Sequence, residues 1–237
     1  MTKEFLSVDN LHSGYGNKPI LQGLNLHIKQ GEIVAVIGRN GVGKSTFMKS
    51  LIGLLPCYSG SINFMEQEIC GLAAHQRARL GIGYVPQGRE VFPRMTVEEN
   101  LRMGESLTTG RVNPNRYDVI YDYFPILHER RRQMAGTLSG GQQQQLAIGR
   151  ILIAEPQVLL LDEPSEGIQP SIVQDIGRLV RDLNEQSGLT ILFVEQNLDM
   201  IQATAQRCYV MDKGRVTEEL DPASLSDPEV VRRCLSI

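Results

Sequence analysis

The strongest constraint on this chain is Gly38-Arg39-Asn40-Gly41-Val42-Gly43-Lys44-Ser45, which satisfies GxxxxGK[ST] and follows directly on an apolar run over 33–37. Strand, glycine loop and helix is the order in which such a motif wraps an anion. Glycines let successive backbone N–H groups turn around phosphate oxygens, and the next helix points its positive end at the same charge. Lys44 would reach β- and γ-phosphates, and the Ser45 hydroxyl would bind Mg²⁺. Arg39 and Asn40 contribute backbone amides, with no role read for their side chains. Thr46 opens the helix expected over 46–54 and counts with the nucleotide-binding residues. A glycine turn with a coincidental lysine is outweighed by the flanking strand and helix.

A second apolar run, Val158-Leu159-Leu160-Leu161, ends at Asp162-Glu163. Alone, such a pair is a solvated strand end. Beside a phosphate loop it supplies a carboxylate for the metal through a bound water, Asp162, and one that takes a proton from water, Glu163.

Elsewhere, short alternating stretches (residues 5–8, then Leu24, Leu26 and Ile28) read as antiparallel strands around a turn-rich segment over 12–17. A strand over 61–64 and a polar helix over 72–80 follow. Residues 96–138 carry helical periodicity with charged faces, broken by a loop over 108–115 that contains Gly110 and Pro114. Helices over 142–154 and 170–185, with apolar strands over 158–161 and 190–194, repeat the alternation of a parallel sheet. Residues 199–206 and 230–235 read as helices, and 208–211 as a strand.

The 237 residues are enough for a sizeable core, and 24 basic against 27 acidic residues leave no basic footprint for nucleic acid. Arg130-Arg131-Arg132 reads as a solvated helix end. Four cysteines without CxxC or nearby histidine argue against a zinc site or disulfide framework. The absence of an apolar leader, and of about 18 consecutive apolar residues, leads to the expectation of a chain that is neither secreted nor membrane-spanning.

Leu138-Ser139-Gly140-Gly141-Gln142 resembles the signature of ABC-type ATPases and precedes Asp162-Glu163 as in that family. The resemblance covers essentially the whole chain. It implies an α/β P-loop NTPase with a RecA-like core, an N-terminal antiparallel β-subdomain and a helical insertion. The single domain would span 1–237, with core 1–87 and 139–237 and the helical subdomain over about 88–138. It implies that Tyr15 stacks on adenine and that Gln87 reaches Mg²⁺ and senses the γ-phosphate of ATP. The bland alternatives are a half-buried turn tyrosine and a solvated loop glutamine. Ser139, Gly140, Gly141 and Gln142 would meet the γ-phosphate held by a second ATPase subunit packed head to tail, identical or not. A merely capped helix start accounts for Ser139 but not for the Gly-Gly-Gln after it. Transmembrane permease subunits, and indirectly a solute-binding protein, are the implied partners, with the chain peripheral on the cytoplasmic face of the inner membrane.

Two positions depart from the family pattern. Glu195-Gln196-Asn197 puts Gln196 where a switch histidine is usual; it can orient water but carries no charge. Gln169 replaces a usual aspartate. Glu195-Gln196, the stretch over 84–93 and that over 142–150 resemble importer ATPases for branched-chain amino acids and for urea or short amides. Glu166-Gly167-Ile168-Gln169-Pro170 and the glutamine run resemble the urea branch more. The competing classes are a soluble mechanical ATPase, which the single cassette without coiled coils disfavours, a nucleotide-binding module without turnover, and a signalling GTPase, for which no Asn-Lys-x-Asp motif is present.

Overall fold

A computed structural model describes residues 4–108, 113 and 115–235. The strands are β1 (Glu4–Tyr15), β2 (Lys18–Lys29), β3 (Ile33–Ile37), β4 (Cys57–Phe64), β5 (Gln67–Glu68), β6 (Ile82–Val85), β7 (Val158–Asp162), β8 (Thr190–Glu195), β9 (Arg207–Asp212) and β10 (Arg215–Leu220). The helices are α1 (Lys44–Leu51), α2 (Ala74–Arg79), α3 (Val97–Met103), α4 (Asn115–Tyr123), α5 (Pro125–Glu129), α6 (Gly140–Leu152), α7 (Pro170–Ser187), α8 (Leu198–Thr204) and α9 (Pro228–Leu235).

Ten strands form two sheets among the described residues: an antiparallel one, β2-β1-β4-β5, and a six-stranded one, β10-β9-β3-β8-β7-β6. In the larger sheet all neighbours are parallel except the β10–β9 pair. The continuous apolar runs follow from that position. Strands β3, β7 and β8 are buried along their whole length, because both faces are covered. Ile33, Ala35 and Ile37 join one core with α6, α7 and the helical segment, while Val34 and Val36 join a second core with α1 and the antiparallel sheet. Period-two alternation thus divides a uniformly apolar strand between two cores.

Helix α1 is fixed at its far end by Arg77, whose guanidinium donates to the carbonyls of Ser50 (2.7 Å), Leu51 (2.9 Å), Leu72 (3.0 Å) and Cys70 (3.0 Å). The first two bonds satisfy carbonyls that the last turn of α1 leaves free, and the other two tie that turn to the segment before α2. Helix α7 starts on Pro170 and ends on Gly188 at φ 67°, each suited to its place.

Several boundaries differ from expectation. Strands β1 and β2 extend through the supposed turn, leaving only Gly16-Asn17 between them. Helix α1 begins two residues early, at Lys44, and stops before Gly53. The 96–138 stretch resolves into α3, α4 and α5 with two short 3-10 turns; residues 109–112 and 114, with Gly110 and Pro114 of the expected loop, lie outside the described residues. Three strands were not anticipated: the two-residue β5, β6 and β10. Gly81 precedes β6 and Gly83 interrupts its apolar pattern, yet at Gly83 a Cβ would lie 2.5 Å from Ile151. Strand β10 is charged, and a tight turn through Lys213 (φ 43°) and Gly214 (φ 76°) folds it onto β9 as a sheet edge. Arg130 and Arg132 are exposed just beyond α5, as a solvated helix end requires.

Candidate active site

The parallel strands all point their carboxyl ends to one edge, where ligands of such sheets bind. There β3 leads into the loop over 38–43, β6 into Gln87, β7 into Asp162 and Glu163, and β8 into Gln196. The phosphate loop has the shape its glycines permit. Gly43 sits at φ 111°, and a Cβ on Gly38 would lie 2.4 Å from the Met211 carbonyl oxygen. Lys44 is buried, and its Nζ donates to the carbonyls of Gly38 (2.8 Å) and Arg39 (3.2 Å). The same ammonium pairs with Glu163 Oε1 at 3.2 Å.

Asp162 is 2 % exposed and accepts hydrogen bonds from Ser45 Oγ (3.1 Å) and Tyr84 Oη (3.0 Å). Burial raises its carboxyl above the usual range, and the two hydroxyl donors oppose that rise. Burial, with Asp162 alongside, pushes the Tyr84 phenol up as well, so it stays a donor.

Glu163 occupies the left-handed region at φ 47°, its amide donating to the Val194 carbonyl at 3.0 Å. A non-glycine residue held there costs about 1–3 kcal/mol and persists only where its surroundings impose it. Besides Lys44, its carboxylate accepts from Gln196 Nε2 (2.9 Å) and Gln87 Nε2 (3.3 Å). Gln196 also donates to Asn40 Oδ1 at 2.7 Å, so the Asn40 side chain has a partner the sequence reading did not assign. The neighbouring Glu195 is buried and anchors this corner, accepting from the amides of Gln196 (2.7 Å), Asn197 (3.1 Å) and Ser165 (3.1 Å).

Two adjoining clefts open over these groups. One, of about 270 Å³, is lined by Tyr15, Gly41, Gly43, Lys44, Ser45, Thr46, Gln87 and Glu163; the other, of about 570 Å³, by Asn40, Gln87, Glu163, Glu166 and Gln196. Tyr15 is 49 % exposed, which leaves its ring face accessible.

Ser139, Gly140, Gly141 and Gln142 line neither cleft; they open α6. The Ser139 hydroxyl accepts from the Gln142 amide (3.4 Å) while Gln142 Oε1 accepts from the Ser139 amide (3.0 Å), a reciprocal cap. This corrects one reading, since helix capping accounts for Gln142 as well as Ser139. The glycines are accounted for by crowding: a Cβ on Gly141 would lie 2.6 Å from Ile172. Tyr84, Glu195, Arg89 and Glu166 are the site neighbours the sequence did not disclose. In the sequence they stood only inside stretches that carry the importer resemblance, with no role at the site assigned to them.

A family model described as ABC transporter matches residues 21–166. The high-affinity branched-chain amino acid transport ATP-binding protein BraG of Pseudomonas aeruginosa is 43 % identical, over 95 % of this chain and 97 % of its own length. A nucleotide-free ATP-binding cassette from an ABC transporter superposes with a TM-score of 0.85 at 28 % identity, covering 97 % of this chain and 98 % of its own. A dimeric cassette in a post-hydrolysis state, bound to ADP and phosphate, superposes with a TM-score of 0.82 at 25 % identity, covering 92 % and 98 %. Family match, cassette fold and phosphate loop agree: the chain belongs to the ABC transporter family, as an ATP-hydrolysing cassette that energises transport.

Proposed function

We propose that this cassette drives an importer of branched-chain amino acids, with ATP held by residues 38–46 and hydrolysed at Glu163. The carrying observation for the chemistry is the Glu163 carboxylate, set by a strained backbone and held by Lys44, Gln87 and Gln196 at the cleft. For the solute, the 43 % identity to the Pseudomonas protein favours branched-chain amino acids over urea or short amides, toward which the 166–170 loop resemblance leaned.

Phosphate oxygens compete with Glu163 for Lys44, freeing the carboxylate to accept a hydrogen bond from water. The water oxygen bonds to the γ-phosphorus, its proton passes to Glu163, and the β–γ bridging bond breaks with its electrons leaving on ADP. Gln196 donates to Glu163 and orients it; lacking a charge, it contributes less than an imidazolium. Tyr15 offers its exposed ring to the adenine.

A magnesium ion fits the donor set: the Ser45 hydroxyl and Asp162 carboxylate lie 3.1 Å apart, Gln87 adds an amide oxygen, and all are hard oxygen ligands. Held by Ser45, Gln87 and Asp162, Mg²⁺ would supply charge neutralisation for the phosphates and would offset the burial cost of the Asp162 charge.

The start of α6, Ser139 to Gln142, would face the γ-phosphate of a second cassette, identical or not, packed head to tail. The dimeric solved relative supports pairing with a second cassette. No described helix is long and apolar enough to cross a membrane. In this reading the cassette works with transmembrane permease subunits on the cytoplasmic face of the membrane, and a solute-binding protein acts upstream. The test is uptake of labelled leucine and labelled urea in the source organism with the gene deleted and restored. Loss of leucine uptake alone is expected. Loss of urea uptake alone overturns the solute assignment, and loss of neither overturns both.

A further inference from the structure

The loop over 164–169 touches the loop after β6 at two points. Gln87 Nε2 donates to Glu166 Oε2 at 2.9 Å, in addition to Glu163 Oε2 at 3.3 Å. Arg89 donates to the carbonyls of Glu166 (3.1 Å) and Gly167 (3.2 Å), which sets the backbone from which the Glu166 side chain projects. Arg89 is itself confined. Its guanidinium lies where a Cβ on Gly140 would come within 2.8 Å, and Gly88, Arg89 and Glu90 run through the left-handed region at φ 82°, 72° and 45°. Three such residues in a row are a shape imposed by contacts, and Arg150 secures the far side by donating to the Glu90 carbonyl at 2.9 Å.

An amide has two ends of opposite polarity, and a carboxylate oxygen only accepts. Two carboxylates on the same side of Gln87 therefore determine which way its amide faces: both N–H groups are engaged, and the oxygen is the atom left to meet a cation. We infer that Glu166 is a positioning residue for Gln87, holding its amide so that the oxygen is presented to the metal ion. This rests on the reading that Gln87 meets the metal. It assigns a task to a side chain that neither the phosphate loop nor the Asp162-Glu163 pair involves.

The test uses Mn²⁺ as probe. Its binding to the purified full chain with a non-hydrolysable ATP analogue is followed by electron paramagnetic resonance, and analogue affinity is measured separately in EDTA. Glu166→Ala is expected to weaken Mn²⁺ binding about three- to tenfold, the scale of one ordinary hydrogen bond, with analogue affinity in EDTA unchanged. Glu166→Gln should keep most of the affinity, because its amide oxygen still accepts. Gln87→Ala should weaken Mn²⁺ binding at least as much, and the double variant no further, as coupled residues require. A loss in Gln87→Ala but not in Glu166→Ala overturns the positioning role alone. A loss in neither overturns the Gln87 assignment with it, and additive losses show that Glu166 does not act through Gln87. Glu166 is exposed, so the variant should melt with the parent chain; a matching loss of analogue affinity in EDTA would mark a general structural effect and overturn the inference.

Discussion

The two ends of the parallel sheet carry similar side chains to opposite purposes. At the amino end, Arg207 donates to Glu32 (2.8 and 2.7 Å), to the His27 carbonyl (2.8 Å), to Tyr209 Oη (2.7 Å) and to Glu219 (3.3 Å), tying β2, β3, β9 and β10 together. The Arg207–Glu32 side chains are only 14 % and 13 % exposed. At the carboxyl end, Lys44 and Glu163 are buried to a similar degree, but the ammonium is shared with loop carbonyls and the carboxylate rests on a strained backbone beside a cleft. One end meets its charges with fixed partners and bidentate geometry. The other holds them in arrangements that a polyphosphate can exchange. Saturation serves stability, and exchangeable partnering serves chemistry.

The sharpest way to break this comparison is at Glu163. Glu163→Gln should keep ATP binding and reduce turnover about 10²- to 10⁴-fold, the usual contribution of a general base, and ATP-held dimers should accumulate. Steady-state hydrolysis and light scattering measure both; unchanged turnover would remove Glu163 from the chemistry. The opposite signature belongs to Arg207→Ala. It should lower stability by about 2–3 kcal/mol, a figure reduced for partial exposure, with nucleotide affinity unaltered, as read by denaturant unfolding and ATP titration. The smallest effect sharpens the contrast in sign. Asp162 binds its proton more tightly folded than unfolded, so its charged form costs stability above the raised pKa, and the cost disappears as pH falls through it. Asp162→Asn should therefore raise the melting temperature at pH 7 by a few degrees, and less toward acid, while metal-dependent nucleotide binding falls.

Legibility divided along the same line. The phosphate loop, the apolar strand runs and the Asp162-Glu163 pair are contiguous, and each carries its physical reason within a few residues. Strand β6 was hidden because Gly83 is there for close packing against Ile151, a contact far along the chain. Strand β10 was hidden because an edge strand needs charge more than hydrophobicity. The helix expected from Gln142 begins two residues earlier, at Gly140, and the capping bond from the Ser139 amide to Gln142 Oε1 fixes that start.

By itself, then, the order of residues determined that a strand, a glycine loop and a helix would form an anion cradle, and that a second apolar strand would end in two carboxylates. Local backbone chemistry and periodicity suffice for that. Tertiary structure alone decided that Tyr84 and Ser45 share Asp162, that Gln196 bridges Asn40 and Glu163, and that Arg89 and Glu166 set the attitude of Gln87. These partners come from different strands and from the loops and helix that follow them, and only the parallel stacking of the strands brings their carboxyl ends to one edge.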